Sequence, residues 1–274
     1  MQKVNIVLSG SGVRFPYFIG ALQYLNNYDY KIVNIAGTSG GSLVSAMVAS
    51  SVRLNKLIDF GINFQFNQIL KHNCKVFNSP EIYKWNETKF YNRLKDFNIE
   101  PDIDISTLNV GLKIVTNNIS KMNIQIFNSG ILYKLVLASM SVPFIIRPVV
   151  INNNYYVDGG LSANFGINLW DTTCYPTIGF DIKSEHTDYV KPNSIIGYVE
   201  RNFETAMNAQ ETIAIDIAKS VKTNTVVVPL YCKYSSFDLT IDKEKAKTMI
   251  DSGYNQTKQF FEQNEIPHSI KRKP

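Results

Sequence analysis

Ser39 lies in a pattern that is typical of a nucleophilic serine. The segment Gly37-Thr38-Ser39-Gly40-Gly41 follows an apolar run at residues 32–36 and precedes a stretch with helical spacing of apolar residues. It matches the G-x-S-x-G nucleophile elbow, in which a tight turn between a strand and a helix exposes the serine hydroxyl. Gly37 and Gly41 let the backbone bend that tightly because they lack a Cβ. The N-terminus of the following helix adds partial positive charge where an alkoxide or an oxyanion would form.

Asp158 is the carboxylate best placed by the sequence to act as a base for this serine. The segment Val157-Asp158-Gly159-Gly160 ends a predicted hairpin, and its glycines allow another part of the chain to approach closely. A carboxylate with an ordinary pKa of about 4 is a weak base toward a hydroxyl, so direct activation requires a dry site and an oxyanion hole. The turn Gly10-Ser11-Gly12 is predicted to supply backbone N–H groups for that hole.

The three histidines give little support for a Ser-His-Asp triad. His72 lies in a region rich in aromatic residues, His186 in the polar stretch 184–188, and His268 in the C-terminal tail. An α/β-hydrolase places its elbow well into the sheet and its acid and histidine afterwards, whereas here the elbow follows the second predicted strand. We therefore interpret the histidines as surface residues and Asp158 as the base.

Strands and helices alternate along most of the chain. Apolar runs bounded by turn residues predict strands, and apolar residues three or four positions apart predict helices. The predicted strands are 4–8, 32–36, 110–116, 123–127, the hairpin 149–157, 177–182 and 225–230, and the predicted helices are 16–25, 43–48, 132–140, 195–221 and 243–261. The first hairpin is expected to turn at Asn117-Asn118 and the second at Asn152-Asn153-Asn154. This order predicts an α/β fold with a mostly parallel sheet and helices on both faces.

Residues 59–101 depart from this alternation. Aromatic residues are concentrated there among polar residues with helical spacing; they are Phe60, Phe64, Phe66, Phe77, Tyr83, Trp85, Phe90 and Tyr91. We interpret residues 60–105 as a helical cap or insertion within a single domain that spans residues 1–274, and we hypothesise that its aromatics face lipid. The alternative is that they are core residues of further helices.

Charge and cysteine content argue against several classes of function. The 28 Lys and Arg against 23 Asp and Glu give a net charge of +5 with no basic stripe interleaved with aromatics, so nucleic-acid binding is not expected. A small positive excess is compatible with transient contact with an anionic membrane surface. Cys74, Cys174 and Cys232 are far apart and form no CxxC pair, so neither a disulfide framework nor a metal site is expected.

The N-terminal sequence predicts a location inside the cell. The first strand begins almost at once, which leaves no room for the apolar stretch and cleavage site of a signal peptide. No run approaches the length of about 18 apolar residues that a membrane span requires. We therefore expect a soluble, cytoplasmic protein with peripheral contact with membranes.

Three separated segments together resemble the patatin-like phospholipase family, in the family's order. Gly10-Ser11-Gly12-Val13-Arg14 is similar to its glycine-rich oxyanion turn, Gly37-Thr38-Ser39-Gly40-Gly41 to its elbow, and Val157-Asp158-Gly159-Gly160 to its D-G-G segment. The stretch 138–144 before the aspartate and Asn164 after it also resemble the family's pattern. The resemblance covers residues 4–170.

This resemblance implies a three-layer α/β/α fold and calcium-independent hydrolysis of acyl esters in phospholipids or other lipids, with no cofactor. Ser39 would attack the ester carbonyl and form an acyl-enzyme, and Asp158 would accept the serine proton and then activate water. The amides of the Gly10-Ser11-Gly12 turn would hold the oxyanion, and Arg14 would support that turn. The sequence identifies no protein activator.

Two other interpretations concern the glycine-rich turn. A dinucleotide-binding fingerprint fails because Phe15 occupies its third glycine position and no acidic residue is well placed about twenty residues further on. A catalytically weak or inactive lipid-binding protein on the same fold is the second, since Ser11 and Phe15 replace glycines of the family's turn. If Ser11 adopted a positive φ, the strain would be about 1–3 kcal/mol and the oxyanion hole would be reshaped.

Overall fold

Parallel strands form the centre of the fold. The computed structural model describes residues 1–73, 82–171, 174–185, 195–221, 224–239 and 241–264, together with Ile266 and Ile270. Within them the strands are β1 (Gln2–Leu8), β2 (Tyr30–Thr38), β3 (Leu70–Asn73), β4 (Ile82–Trp85), β5 (Gly111–Asn118), β6 (Asn123–Phe127), β7 (Val149–Ile151), β8 (Asn154–Asp158), β9 (Thr177–Ser184) and β10 (Thr225–Cys232). The helices are α1 (Pro16–Asn27), α2 (Gly40–Ala49), α3 (Leu54–Asn63), α4 (Phe66–Ile69), α5 (Glu87–Asp96), α6 (Leu132–Ser139), α7 (Gly160–Ala163), α8 (Ile195–Val221) and α9 (Lys243–Gln263). Every strand and helix predicted from the sequence is confirmed.

The main sheet is mostly parallel, as predicted. In the described part of the chain it has eight strands, in the order β10-β9-β1-β2-β5-β8-β7, with β6 also paired to β5. Strands β10, β9, β1, β2 and β5 run parallel to one another. Strands β6, β7 and β8 are antiparallel to their neighbours at one end of the sheet.

One edge of β5 is shared by two strands that meet end to end. β2 pairs with the first part of β5, up to Thr38 opposite Val115, and β8 pairs with the last part, from Asp158 opposite Thr116. β6 pairs with both parts, so it must occupy the other edge of β5. The C-terminal ends of β2 and β8 therefore face each other beside two successive residues of β5.

Helices cover both faces of the sheet and give three layers. Ile6 and Ile35 face a large core cluster that includes side chains of α1, α2, α3, α6 and α9. Val7 and Ala36, one position further along each strand, face a smaller cluster that includes Ala218 of α8. Because successive side chains of a strand point to opposite faces, α8 lies on the side of the sheet opposite to α1, α2, α3, α6 and α9.

Residues 60–105 contain strands as well as helices. β3 and β4 form a separate antiparallel sheet between α4 and α5, which was not predicted because strands of four residues show too little periodicity. Phe60, Phe64, Trp85 and Phe90 are buried in the large core cluster, so the hypothesis that these aromatics face lipid is wrong and the core alternative is right for them. Phe77 lies outside the described residues. The interpretation of the region as a cap within one domain stays a prediction.

The first hairpin turns later than predicted. Asn117 and Asn118 continue β5, and the turn lies at residues 119–122. Their side chains reach across to β8, because Asn117 Nδ2 donates to the carbonyl oxygen of Asp158 at 2.8 Å and Asn118 Nδ2 donates to the Tyr156 hydroxyl at 3.2 Å. The second hairpin turns at Asn152 and Asn153, both with positive φ, and Asn154 already belongs to β8.

Candidate active site

Ser39 occupies the turn between β2 and α2 with a backbone conformation that L residues rarely adopt. Its φ is 51° and its ψ is −125°. Such a conformation costs about 1–3 kcal/mol and persists only where the surroundings hold it. A Cβ on Gly37 would lie 2.4 Å from the carbonyl oxygen of Gly41, and a Cβ on Gly41 would lie 2.4 Å from that of Ser9. The elbow therefore requires glycine at both positions.

Ser139, at the end of α6, is hydrogen-bonded to the backbone of the elbow. The Ser39 amide donates to Ser139 Oγ at 2.9 Å, and Ser139 Oγ donates to the carbonyl oxygen of Val115 at 2.7 Å. On the other side, Ser42 Oγ donates to the Ser39 carbonyl oxygen at 2.6 Å. Sequence reasoning noted the stretch 138–144 only as part of a resemblance and gave Ser139 no function. Its role becomes visible only when α6 is packed beside β5.

Asp158 lies next to Ser39 across the junction of β8 and β2. Its Oδ1 accepts the Gly160 amide at 2.8 Å. Burial raises the pKa of Asp158 from 3.8 to about 6, and the neighbouring Ser39 hydroxyl and Gly160 amide act in the opposite direction. A carboxylate with this pKa is a stronger proton acceptor than an exposed one and is still ionised at neutral pH.

The Gly10-Ser11-Gly12 turn runs past the elbow without backbone strain at Ser11. The φ of Ser11 is −137°, which any L residue adopts, so the condition under which Ser11 would be strained is not met. Gly12 has the positive φ instead, at 55°, and a Cβ there would lie 2.0 Å from the carbonyl oxygen of Ser236. Phe15 has a helical φ of −52° and is buried against Phe60, with ring centroids 6.1 Å apart.

The amides of the turn differ in their hydrogen bonding. The Gly10 amide donates to the carbonyl oxygen of Asn164 at 2.8 Å, so it is already engaged. Among the described residues, no acceptor lies within hydrogen-bonding distance of the Ser11 or Gly12 amide. Arg14 is buried beneath the turn and donates through Nε to the Ser11 carbonyl oxygen at 3.2 Å and through Nη1 to Ser184 Oγ at 3.0 Å. Burial lowers the pKa of Arg14, and nearby acidic groups oppose that effect.

A cavity with an apolar wall opens beside the two reactive groups. It encloses about 400 Å³, including open solvent at its mouth. The polar side is formed by the Gly10-Ser11-Gly12 turn, Ser39 and Asp158. The apolar side chains that line it are Val142, Leu161, Phe203, Met207 and Phe237. Ser39 is 7% exposed and Asp158 is 6% exposed, so both reactive groups are largely shielded from solvent.

Helix α8 closes this cavity and is fastened to the rest of the site by buried polar groups. Glu211 accepts from Asn164 Nδ2 and forms an ion pair with Lys183, whose Nζ also lies 2.7 Å from Asp181 Oδ2. Burial raises the pKa of both Asp181 and Glu211. The sequence did not indicate this arrangement, because α8 is separated from Asp158 by a long segment of chain. Its contact with the site depends on tertiary packing.

The described residues offer little to a metal ion or a further base. They contain no group of three or more His, Cys, Asp or Glu side chains arranged as metal ligands. His186, His268 and Cys74 lie outside the described residues, while His72 belongs to β3. None of the helices in the described ranges has both the length and the apolar character of a membrane span.

An elbow serine beside a buried carboxylate, on a three-layer α/β fold, is an arrangement suited to hydrolases that act through a nucleophilic serine. The Patatin-like phospholipase family matches residues 6–169, which is more than half of the chain, and the chain belongs to this family.

Relatives of the chain occur in viruses and in fungi. An uncharacterized protein of Acanthamoeba polyphaga mimivirus is 25% identical over an alignment 286 residues long, gaps included, that covers 94% of this chain and 93% of that protein. A protein of Invertebrate iridescent virus 6 named a probable lipid hydrolase is 29% identical over 183 residues, which cover 60% of this chain and 62% of that protein. A lysophospholipase of Kluyveromyces lactis is 27% identical over 179 residues, which cover 61% of this chain and only 12% of the fungal protein.

Two solved structures share the fold. VipD from Legionella pneumophila has a TM-score of 0.54 at 11% identity, covering 96% of this chain and 67% of VipD. The type III effector ExoU has a TM-score of 0.50 at 13% identity, covering 100% of this chain and 54% of ExoU. These likenesses confirm the α/β fold with its mostly parallel sheet.

Proposed function

We propose that the protein hydrolyses carboxylic esters of phospholipids or other acyl lipids, with Ser39 as nucleophile and Asp158 as the base. The observation that carries this proposal is the position of the Asp158 carboxylate beside the Ser39 side chain, with both residues buried and lining one cavity. The family match and the relatives named as lipid hydrolase and lysophospholipase support the substrate class.

In the first step Ser39 Oγ attacks the ester carbonyl carbon while Asp158 takes the hydroxyl proton. The carbonyl oxygen becomes an oxyanion, which the Ser11 and Gly12 amides and the N-terminus of α2 would stabilise, since Ser11, Gly12 and Ser39 line the same cavity. The C–O bond to the alcohol then breaks, the proton on Asp158 passes to the leaving alkoxide, and the acyl group stays on Ser39.

In the second step water replaces the alcohol. Asp158 accepts a proton from water, which attacks the acyl carbonyl carbon through the same oxyanion site, and the proton returns to Ser39 Oγ as the acyl bond breaks. A free carboxylic acid leaves, and the dyad is restored. Both steps use the same carboxylate, and every proton that Asp158 accepts is passed on to the leaving alcohol or back to Ser39.

The apolar wall of the cavity suits an acyl chain. Phe203, Met207 and Leu161 present hydrocarbon and thioether surface beside Ser39, where the chain attached to the reacting carbonyl would lie. A polar substrate of the same size would leave its hydrogen-bonding groups unsatisfied against this wall. The site therefore favours an ester with an apolar acyl group.

Hydrolysis by wild type, Ser39→Ala and Asp158→Asn tests the proposal. Each is assayed with chelator on a soluble p-nitrophenyl ester and on phospholipid vesicles, and both variants are expected to lose at least about a thousandfold in kcat/KM. Ser45→Ala is the matched control, because Ser45 lies on the same helix and its hydroxyl has no hydrogen-bond partner among the described residues. Full activity is expected to persist in this control.

The same experiment addresses the inactive lipid-binding alternative. That alternative predicts that wild type is inert on every ester and that a fluorophosphonate probe fails to label Ser39. Activity that requires added calcium, or activity that survives Asp158→Asn, would contradict the proposed dyad mechanism.

A further inference from the structure

The β5–β6 and β7–β8 hairpins extend beyond the end of β2 and expose one apolar face. Opposite residues in an antiparallel pair point to the same face, as do residues two positions apart in one strand. Asn117 lies opposite Ile124, Tyr155 lies opposite Val150, and the Ile119 amide donates to the Tyr155 carbonyl oxygen at 3.0 Å. The register therefore places Ile124, Ile119, Tyr155 and Val150 side by side on one face.

These side chains are exposed although they are apolar. Ile119, Ile124, Val150 and Tyr155 are between 39% and 52% exposed, and Met122 at the tip of the first turn is 92% exposed. We call these five residues the hairpin face. Single exposed apolar residues are normal on protein surfaces, but four on one face, with a fifth in the adjoining turn, form a patch of the kind that contacts a partner or a membrane.

The two hairpins carry positive charge only, apart from the buried Asp158. Residues 111–127 and 149–157, which form them, contain Lys113 and Lys121 but no Asp or Glu. Lys121 lies at the tip of the first turn, next to Met122, and is exposed. A surface with apolar side chains and only positive charge is complementary to a membrane with anionic headgroups, in which hydrocarbon and negative charge lie together.

The hairpin face is close to the candidate active site along the chain. Tyr155 and Asp158 belong to the same short strand, β8. Phe144, between α6 and β7, is 73% exposed and has a positive φ of 66°. Its ring packs against Phe203, which lines the cavity, with centroids 6.4 Å apart. An exposed aromatic ring therefore adjoins the cavity wall.

We propose that the hairpin face docks the protein on an anionic phospholipid surface, with Met122 and its apolar neighbours entering the headgroup region and Lys121 contacting the headgroups. This assignment rests on the proposed lipid hydrolysis for its biological purpose, but vesicle binding can be measured without any hydrolysis. Docking by this face brings the cavity, three residues along β8 from Tyr155, to the lipid that it would cleave.

Binding is measured in the Ser39→Ala background, so that no lipid is consumed. Full-length protein is floated with vesicles of phosphatidylcholine alone or of phosphatidylcholine with phosphatidylglycerol. Met122→Asp is expected to weaken binding to the anionic vesicles at least about tenfold, because it puts a charge where an apolar side chain would be buried. Lys121→Glu is expected to weaken it to a similar extent, and the effect should shrink as salt is raised.

Ile213→Asp on α8 is the matched control, because Ile213 is an exposed apolar residue outside the hairpin face. Equal vesicle binding by Met122→Asp and Ile213→Asp would overturn the proposal, and so would an absence of binding to anionic vesicles. If analytical ultracentrifugation showed a dimer that Met122→Asp dissociates, the face would be an interface between two copies, and the proposal would equally fail.

Hydrolysis of a soluble ester separates this proposal from the proposed function. In the background that retains Ser39, Met122→Asp is expected to keep wild-type activity on the monomeric p-nitrophenyl ester and to lose activity on anionic vesicles. Vesicle binding without any ester hydrolysis would refute the proposed function and leave the docking face standing. Hydrolysis of the soluble ester together with unaltered vesicle binding by Met122→Asp would refute the docking face and leave the proposed function standing.

Discussion

Replacing Asp158 by asparagine is expected to stabilise the folded protein at neutral pH while it abolishes activity. The carboxylate is buried and ionised where the surroundings disfavour its charge, and burial raises its pKa from 3.8 to about 6. Asparagine has nearly the same shape and its side-chain oxygen can still accept the Gly160 amide, but it carries no charge at any pH. The variant should therefore lack the free-energy cost of burying an ionised carboxylate.

The magnitude follows from the linkage between protonation and folding. Because the pKa of Asp158 is higher in the folded chain, the folded state binds the proton more tightly than the unfolded state does. Protonation of Asp158 therefore stabilises the folded state fully below a pH of about 4, and this contribution is lost as the pH rises through about 6. The raised pKa means that the ionised carboxylate destabilises the folded state by about 3 kcal/mol at pH 8 and by less than about 1 kcal/mol at pH 4.

Urea unfolding at several pH values measures this effect. Unfolding is followed by the fluorescence of the buried Trp85 in wild type and in Asp158→Asn. The two curves give the free energies of unfolding, and the value for wild type is subtracted from that for the variant. This difference should become more favourable to the variant by about 2 kcal/mol between pH 4 and pH 8. Asp251→Asn, which removes an exposed carboxylate of α9, is the control and should show no comparable trend.

A pH-independent difference would refute the reasoning, whatever its size. Loss of hydrogen bonds to Ser39 or Gly160 would change stability by a similar amount at every pH, whereas the removal of a buried charge cannot. A constant destabilisation of the variant would therefore mean that the pKa of this carboxyl group is the same in the folded and the unfolded chain, contrary to the burial described above.

Three further predictions concern the same site. The kcat/KM for a soluble ester should rise with pH and level off above an apparent pKa of about 6, because Asp158 must be deprotonated to accept the serine proton; a flat pH–rate profile between pH 5 and 8 would contradict this. Ser139→Ala should lower kcat about tenfold or more with little change in KM, because it leaves the elbow amide without its acceptor; steady-state kinetics would show the split, and an unchanged kcat would argue against a positioning role. Gly12→Ala should lower stability by roughly 2 kcal/mol or more in thermal melts, because its Cβ would meet a backbone oxygen at 2.0 Å. Gly130→Ala, which also has a positive φ but would meet only Leu135 at 3.4 Å, should cost less, and equal losses would show that φ alone decides.

Local patterns in the sequence predicted most of the framework. The elbow, the hairpin that ends at Asp158 and the alternation of strands and helices each depend on residues that are close together in the chain, and turn chemistry and periodicity report such features well. The position of Asp158 beside Ser39 was an expectation from motif resemblance. The structure adds the physical reason, which is that β2 and β8 end at successive positions on β5.

Long-range packing accounts for what the sequence did not reveal. The four-residue strands β3 and β4 carry almost no periodic signal, and Ser139 is distinguished only by the elbow amide that it accepts. Helix α8 was predicted within its bounds, but nothing local indicated that Phe203 and Met207 would close the cavity. The asparagines at 117 and 118 misled the turn prediction because both belong to β5: the Asn117 side chain bonds to β8, and Asn118 bonds both to β8 and to the Lys121 amide of the turn that follows.

The end-to-end meeting of β2 and β8 on β5 makes the candidate site a late product of folding. The elbow can form from residues that are neighbours in the chain, but Asp158 arrives only after a long loop has been closed and β8 has paired with β5. A chain still emerging from the ribosome therefore holds the nucleophile without its base. Under the proposed mechanism, hydrolysis would begin only once the central sheet is complete, so the order of synthesis itself delays the onset of activity toward lipids.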